Sequence, residues 1–337
     1  MSKRFLTVAT ETLRLRVPFH ISGYTFHEAP VIVVTIWEDG VSGRGEASGV
    51  YYRDDDAAAM LADIERARAA IEGGVSREEL RQVLPACGAR NALDCALWEL
   101  QANQEQRPVW QIANLPRPKS LLTTVTLSAE APEVMANAAR ELSAFRAIKL
   151  KLTGDASLDA KRVDAVRAAR PDAWLSVDAN QGYTLDTLQA VLPALTIAKV
   201  SLLEQPLKRG READLDGLRS PIPIAADESM LGLDEIPRLM GRFDVMNIKL
   251  DKCGGLTEAL LMAAEARRLG LRLMVGSMVC TSWAMAPAFL LAQICEFVDL
   301  DGPLGLTTDR TPAIRYEGGY IHCDDAVWGG GKDGTRP

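Results

Sequence analysis

Ala147-Ile148-Lys149-Leu150-Lys151 opens a series of short apolar runs that each end on an acid or a lysine. The series continues through Leu175-Ser176-Val177-Asp178-Ala179-Asn180, Leu202-Leu203-Glu204-Gln205-Pro206 and Ile224-Ala225-Ala226-Asp227-Glu228-Ser229. It closes with Asn247-Ile248-Lys249-Leu250-Asp251 and Phe297-Val298-Asp299-Leu300-Asp301. From Lys151 to Asp178 is 27 positions, to Glu204 another 26, to Asp227 another 23 and to Lys249 another 22. A strand, a loop and a helix take this much chain, and a parallel sheet needs such crossovers. If the sheet closes into a barrel, all strand C-terminal ends open on one face, where barrel enzymes place their chemistry. Charges far apart in sequence then converge on one mouth. The bland alternative is a set of independent surface charges, which the matched phase disfavours.

The 337 residues suffice for one barrel plus a smaller unit. Hydrophobic residues make up 47% and charged residues 25%, as in soluble globular proteins. The net charge of −7 and the lack of a basic stripe argue against nucleic acid as a partner. The six cysteines form no C-x-x-C pair and read as reduced thiols of a cytoplasmic protein. The N-terminus lacks the apolar run of a signal peptide, and no run is long enough to span a bilayer. Three histidines, His20, His27 and His322, supply a histidine metal site or base poorly.

Residues 3–50 read as strands, including the β-branched run Val31-Ile32-Val33-Val34-Thr35-Ile36 before the turn signal Glu38-Asp39-Gly40. Residues 19–26 fit no clean period and read as a loop; residues 49–53 form a second irregular stretch. Residues 54–106 read as helical, with Asp56 as a cap and Ser76-Arg77-Glu78-Glu79 as a capping box. Residues 1–115 thus form an α+β capping unit, 116–312 the barrel, and 313–337 a glycine-rich tail that returns to the capping unit. Eight strands are expected, at 122–128, 147–152, 174–178, 200–204, 222–227, 245–250, 271–276 and 297–301. The fold class is α/β, a modified (β/α)7β TIM barrel.

Asp178, Glu204 and Asp227 end three consecutive strands. Three carboxylates together raise each other's pKa unless a cation intervenes. An all-oxygen shell suits Mg²⁺, although pairing of each acid with a lysine or arginine would also relieve the repulsion. Lys149 and Lys151 share the second strand, either alternating outward and inward or both reaching the rim. Lys249 lies on the sixth strand, diametrically across. Lysines on opposite walls can exchange a proton with the two faces of a planar intermediate, and a neighbouring cation lowers a lysine's pKa toward the range of a base. Lys252 competes with Lys249 for this role but falls in the turn before Gly254-Gly255. A Schiff-base lysine is the other chemistry open to a barrel; the acidic triad speaks against it. Asp251, next to these groups, would support them from behind; Asn180 and Glu228 would do so too, meet the substrate, or serve only in turns.

Lys149-x-Lys151, Asp178-Ala179-Asn180, Glu204-Gln205-Pro206, Asp227-Glu228-Ser229 and the run from Asn247 to Gly255 together resemble the muconate-lactonizing subgroup of the enolase superfamily. The resemblance runs over essentially the whole chain. Asp299-Leu300-Asp301-Gly302-Pro303 is similar to the D-x-D signature of dipeptide epimerases, the L-Ala-D/L-Glu epimerase group, and the run from Arg90 to Trp98 is close to bacterial members. The resemblance implies Mg²⁺ on Asp178, Glu204 and Asp227, with Lys151 and Lys249 as the two acid/base catalysts. It implies a dipeptide substrate whose ammonium meets Asp299 and Asp301, and loops 19–26 and 49–53 closing over the mouth.

Lys149, Phe19, Tyr24 and Tyr51 are further expected substrate contacts, with Trp283 adding a large apolar group. Residues 19–26 hold no Arg or Lys, although His20 could carry part of a charge. An apolar wall cannot repay the desolvation of a buried carboxylate, so the substrate's C-terminal side chain is expected to be neutral, and apolar in preference. The competing readings are an L-Ala-D/L-Glu epimerase proper, a muconate cycloisomerase or o-succinylbenzoate synthase, and a barrel that binds metal and acid without catalysis. No membrane and no macromolecular partner are expected, a homo-oligomer being left open.

Overall fold

The computed structural model describes residues 4–21 and 23–331. Residues 1–3, Ser22 of the expected loop and residues 332–337 of the expected tail lie outside them. The chain opens with a three-stranded antiparallel sheet, β1 Arg4–Ile21, β2 Tyr24–Glu38 and β3 Val41–Ala47. Three helices follow, α1 Ala57–Glu72, α2 Arg77–Val83 and α3 Gly88–Glu105, then the short α4 Val109–Ile112. Asp56 caps α1 through the Ala59 N–H, and Ser76 and Glu79 form the reciprocal capping box of α2. Apolar residues of β2, among them Ile32, Val34 and Ile36, pack on Met60 and Ile64 of α1 and on Leu93 and Leu97 of α3. Gly45 lets α3 come close: a Cβ there would stand 1.9 Å from the Ala92 carbonyl oxygen.

One expectation fails here. Residues 19–21 and 24–26 are not a loop but the paired ends of β1 and β2, with Phe19 opposite Phe26 and Ile21 opposite Tyr24. The register shifts between Arg14 and Phe19, a stretch that contains Pro18, which has no N–H to give a ladder. These ends are held by backbone pairing, and among their side chains only Ile21 is buried, so the sequence shows no apolar alternation. The first part of the stretch read as strands is one long strand, β1.

After β4 Leu121–Leu122 the barrel runs β5 Val125–Leu127, α5 Pro132–Glu141, β6 Ala147–Lys151, α6 Ala156–Ala169, β7 Trp174–Asp178, α7 Leu185–Ile197 and β8 Leu202–Glu204. It continues with β9 Ile224–Ala226, α8 Ile236–Leu239, β10 Val245–Ile248, α9 Leu250–Cys253, α10 Leu256–Arg268, β11 Arg272–Gly276, α11 Ser282–Ala292 and β12 Phe297–Asp299. β5 to β12 form one parallel sheet in sequential order. The Thr124 N–H donates to the Val298 carbonyl at 3.1 Å and brings the sheet's two edges together. The ring of helices is thin between β8 and β9, where the short gap holds only a 3₁₀ turn at Glu212–Leu215. Leu122, expected in the first barrel strand, instead pairs in β4 with β14 Tyr320–His322, which pairs with β13 Arg315–Glu317.

Two seams fix the capping unit over the mouth. In the first, α3 meets the start of α10. Arg90 Nε donates to the Gly254 carbonyl at 3.1 Å, Asp94 accepts the Thr257 N–H at 3.0 Å, and Trp98 Nε1 donates to Thr257 Oγ1 at 3.0 Å. In the second, buried Glu46 accepts the Thr281 N–H, Thr281 Oγ1 and Arg310 Nη2 at 2.6–2.7 Å. Trp283 lies there between two guanidinium groups, Arg44 at 4.6 Å and Arg310 at 4.2 Å from its ring centre. Near the end of the described chain Trp328 Nε1 donates to the Arg44 carbonyl, and the Gly329 N–H to Glu99.

Candidate active site

Residues two apart on a strand face the same way, so Lys149 and Lys151 both point into the barrel, correcting the alternative in which one points out. Lys149 lies deeper: its ammonium stands 2.7 Å from Asp299 Oδ2, 2.7 Å from Glu204 Oε2 and 3.2 Å from Asp178 Oδ2. Lys151 donates to Asp178 Oδ2 at 2.7 Å and to Asn180 Oδ1 at 3.1 Å. Asp178 and Glu204 are the last residues of β7 and β8, and Asp227 directly follows β9. One oxygen from each lies within 4.8 Å of the others, and all three residues are buried.

These carboxylates are trimmed by neighbours. The Asn180 N–H donates to Asp178 Oδ1 at 2.8 Å, and Asn247 Nδ2 donates to Glu204 Oε1 at 2.8 Å. Gln205, quoted above only as part of a motif, does more than the sequence revealed. Its Oε1 accepts the Asp227 and Ser229 N–H groups at 2.9 and 3.0 Å and fixes the turn that carries Asp227. The glutamine between Glu204 and Pro206 was the available signal. Glu228 accepts from Asn180 through Oε1, while its buried Oε2 has no hydrogen-bond partner.

Lys249 follows β10 directly and donates to Asp227 Oδ2 at 2.7 Å. Lys252 reaches the same residue from α9. It donates to the Asp227 carbonyl at 2.6 Å, to Asp227 Oδ1, and to the Asn247 carbonyl at 3.0 Å. An ammonium has three protons to give, so Lys252 is fully engaged.

Charge and burial compete throughout. Burial pushes Asp178 up, but Lys151 and Lys149 hold it at about 2. Burial and Asp178 push Glu204 up to about 7. Burial also works against ionisation of Asp227, which Lys249 and Lys252 nevertheless hold below the usual carboxylate range. Burial lowers Lys249, yet Asp227 and Glu204 leave it above the usual lysine range. Lys149 lowers Lys249 as well, as a neighbouring cation is expected to, but the two carboxylates outweigh it.

The donor set fits a hard divalent cation. It consists of three carboxylates without histidine or cysteine, all facing one point. Glu204 Oε2 is buried, makes no hydrogen bond and meets only the charge of Lys149. Asp178, Glu204 and Asp227 would hold Mg²⁺.

A cavity opens above, with about 930 Å³ of empty space including its mouth. Lys151, Asn180, Asp227 and Lys249 line its barrel side, and Phe19, Phe26, Tyr51 and Tyr52 much of its capping side. Tyr24 does not line it but braces it, with its ring 4.6 Å from Tyr51 and 6.3 Å from Phe26. Ile21, Tyr52 and Met278 also line the cavity and were not singled out in the sequence. Asp251 lies behind the wall and accepts the Ser48 and Gly49 N–H groups at 2.9 and 3.1 Å, anchoring the segment that carries Tyr51.

Like Tyr24, four more expected substrate contacts do not line this cavity: Lys149, Trp283, Asp299 and Asp301. Trp283 is held in the seam by Arg44 and Arg310 and does not line the cavity. Asp299 is spent inside the barrel on Lys149 and on Thr124 Oγ1, so its expected cation is a protein lysine. Asp301 does not share its direction through strand alternation, because β12 ends at Asp299; Asp301 Oδ2 accepts the Thr126 N–H at 2.7 Å. His20 meets Thr25 and Glu130, away from the cavity.

The family model for mandelate racemase/muconate lactonizing enzyme N-terminal domains matches residues 3–113, and that for enolase C-terminal domain-like proteins matches residues 133–329. The chain belongs to the mandelate racemase/muconate lactonizing enzyme family. Within this family it is similar to the L-Ala-D/L-Glu epimerase of Escherichia coli, at 40% identity over 95% of this chain and 99% of the other. Its fold superposes, with a TM-score of 0.93 and 40% identity, on an enolase family member from Agrobacterium tumefaciens with bound sodium and L-Ala-L-Glu. That match covers 97% of this chain and all of the other. A dipeptide epimerase from Methylococcus capsulatus, complexed with Mg and L-Arg-D-Lys, matches at a TM-score of 0.89 and 31% identity, over 96% and 98% of the two chains.

Proposed function

We infer that this family member is a Mg²⁺-dependent dipeptide epimerase that inverts the α-carbon of a C-terminal residue. The observation that carries the reading is the placement of Lys151 and Lys249. They come from opposite strands of the barrel, line one cavity, and each holds a different carboxylate of the triad at 2.7 Å.

The α-hydrogen beside a carboxylate is weakly acidic, so its removal needs the growing enolate charge stabilised. Bound Mg²⁺ supplies that stabilisation as a Lewis acid. Lys151 takes or returns the proton on one face of the planar enolate, and Lys249 does so on the other. Lys149, deep in the barrel, adds a fixed positive charge beneath the carboxylates. The aromatic cap over the mouth limits water access. Asp301, two residues beyond β12, is the acid we assign to the substrate ammonium, since Asp299 is taken by Lys149.

The cavity also bears on the side chain to be accepted. Among the described residues that line it the only cations are the two catalytic lysines, while Glu28, Asp55 and Asp56 bring negative charge. A glutamate side chain there meets aromatic rings and acids. The C-terminal residue is therefore neutral, apolar in preference, despite the glutamate-bearing ligands or names of relatives at 40% identity. Those relatives favour the second reading, an L-Ala-D/L-Glu epimerase proper.

Among the described residues no helix is long and apolar enough to cross a membrane. The six cysteines are free thiols, which suits a cytoplasmic enzyme. The test is deuterium uptake from D₂O into L,L-dipeptide pools, read by mass spectrometry. Uptake at the C-terminal α-carbon is expected; none with any dipeptide, together with turnover of a muconate or a cyclohexadiene carboxylate, would reverse the reading.

A further inference from the structure

Gly276 ends β11 beside Lys249, in register with Asp299 of β12. Its backbone has no left-handed φ, so nothing in its conformation demands glycine. Its surroundings do. A Cβ at this position would stand 2.9 Å from Lys249 Cε, 2.9 Å from Asn247 Oδ1 and 3.2 Å from Asn247 Nδ2. All three atoms belong to the far ends of side chains, so the fold can absorb a methyl group by moving those side chains alone. Lys249 runs through this gap to Asp227, and Asn247 runs through it to Glu204 at 2.8 Å. Asn247 Oδ1 is buried without a partner, so no hydrogen bond of its own resists displacement of that atom.

Resting on the epimerase reading above, we propose that Gly276 and Asn247 are positioning residues with separate tasks: the missing side chain of Gly276 sets the reach of Lys249, and Asn247 sets the orientation of Glu204. Lys151 lies on the other wall, with Asp178 and Asn180, and the three atoms nearest a Cβ at Gly276 belong to Lys249 and Asn247 instead. Gly276→Ala therefore acts on the Lys249 face of the enolate directly, and on both faces only as far as it also turns Asn247. A misplacement of a catalytic group by about 1 Å costs on the order of a hundredfold in rate.

The experiment follows exchange of the α-hydrogen in D₂O, starting separately from each epimer of one dipeptide. Lys249→Ala identifies the epimer that depends on Lys249. In Gly276→Ala, exchange of that epimer is expected to fall by about a hundredfold, and at least about tenfold further than that of the opposite epimer, which loses only what a turned Asn247 costs. Asn247→Ala is expected to slow both epimers alike and to weaken binding of Mn²⁺, read by its electron paramagnetic resonance signal. Equal loss from both epimers in folded Gly276→Ala, or no loss, overturns the role of Gly276. Unchanged Mn²⁺ affinity in Asn247→Ala overturns that of Asn247, and this arm stands even if Gly276→Ala does not fold. If the wild-type enzyme exchanges no dipeptide at all, the functional reading fails. A crystal structure of Gly276→Ala then decides separately: Lys249 withdrawn from Asp227 supports the inference, and an unmoved Lys249 overturns it.

Discussion

Lys249 and Lys252 grip the carboxylate of one residue, Asp227, through different oxygens, and only Lys249 lines the cavity. Sequence alone left the two in competition. The structure separates them by hydrogen-bond capacity, because Lys252 spends all three protons on acceptors within the fold.

Lys249→Ala is accordingly expected to fold, to lose epimerisation and to retain α-hydrogen exchange of a single epimer. Lys151→Ala should show the same pattern with the other epimer. Lys252→Met should cost stability, about 3–5 kcal/mol for a buried charge pair left with one partner, and lower the exchange of both epimers together. Chemical denaturation and D₂O exchange measure the two effects. If Lys252→Met alone abolishes exchange of one epimer, the assignment of bases is reversed.

The metal reading has its own test. Asp178→Asn, Glu204→Gln and Asp227→Asn keep side-chain shape and remove one negative charge each from a site shared with four lysines. Each variant should melt as a folded protein yet bind Mn²⁺ at least about tenfold more weakly, with epimerisation undetectable. Chelation of the wild-type enzyme should abolish activity and Mg²⁺ should restore it. Full activity after exhaustive chelation would contradict the carboxylate assignment.

The charged strand ends were legible because a polar residue closing an apolar run has few structural excuses. The period of the runs then gave the barrel. What escaped reading depends on register between distant segments. Nothing in the sequence around Asp299 shows that Lys149, 150 positions away, takes its carboxylate. Trp283 reads as a spare aromatic until Arg44 and Arg310 are seen on its two sides. The hairpin tip was missed because its pairing is made by backbone, and its side chains face solvent or the cavity rather than a core.

The seam between α3 and α10 gives a stability prediction. Burial raises the Asp94 carboxyl from its usual 3.8 to about 6, against the lowering effect of its bond with Thr257. The unfolded chain ionises this group near 3.8, whereas the folded one resists until about 6. Folding therefore loses stability as pH rises through that window, by about 3 kcal/mol for a shift of this size. Asp94→Asn does not titrate and retains an acceptor for the Thr257 N–H. The melting temperature of the variant minus that of the wild type should rise between pH 4 and pH 7. A flat or falling difference would show that Asp94 ionises in the folded protein as it does in the unfolded one.

Specificity can be tested by rebuilding one wall. Phe19 and Phe26 face each other across the hairpin tip, 6.5 Å between ring centres, and both line the cavity. Neither carries charge, and His20 between them is turned toward Thr25 and Glu130. A substrate glutamate would lose its hydration here without gaining a cation, a cost that aromatic rings do not return. The wild-type enzyme should therefore show a higher kcat/KM for L-Ala-L-Leu or L-Ala-L-Phe than for L-Ala-L-Glu. Phe19→Arg places a fork of donors on the same wall, suited to a carboxylate. The ratio of kcat/KM for L-Ala-L-Glu over L-Ala-L-Leu should then rise by about tenfold or more, the worth of one charge-assisted contact. The gain should shrink with added salt, since position 19 is only half-buried. N-acetylation of the dipeptide and Asp301→Asn should each lower kcat/KM and, if they remove the same contact, should not add to one another. A wild-type preference for L-Ala-L-Glu would place the glutamate beyond the hairpin wall and end the argument from Phe19 and Phe26.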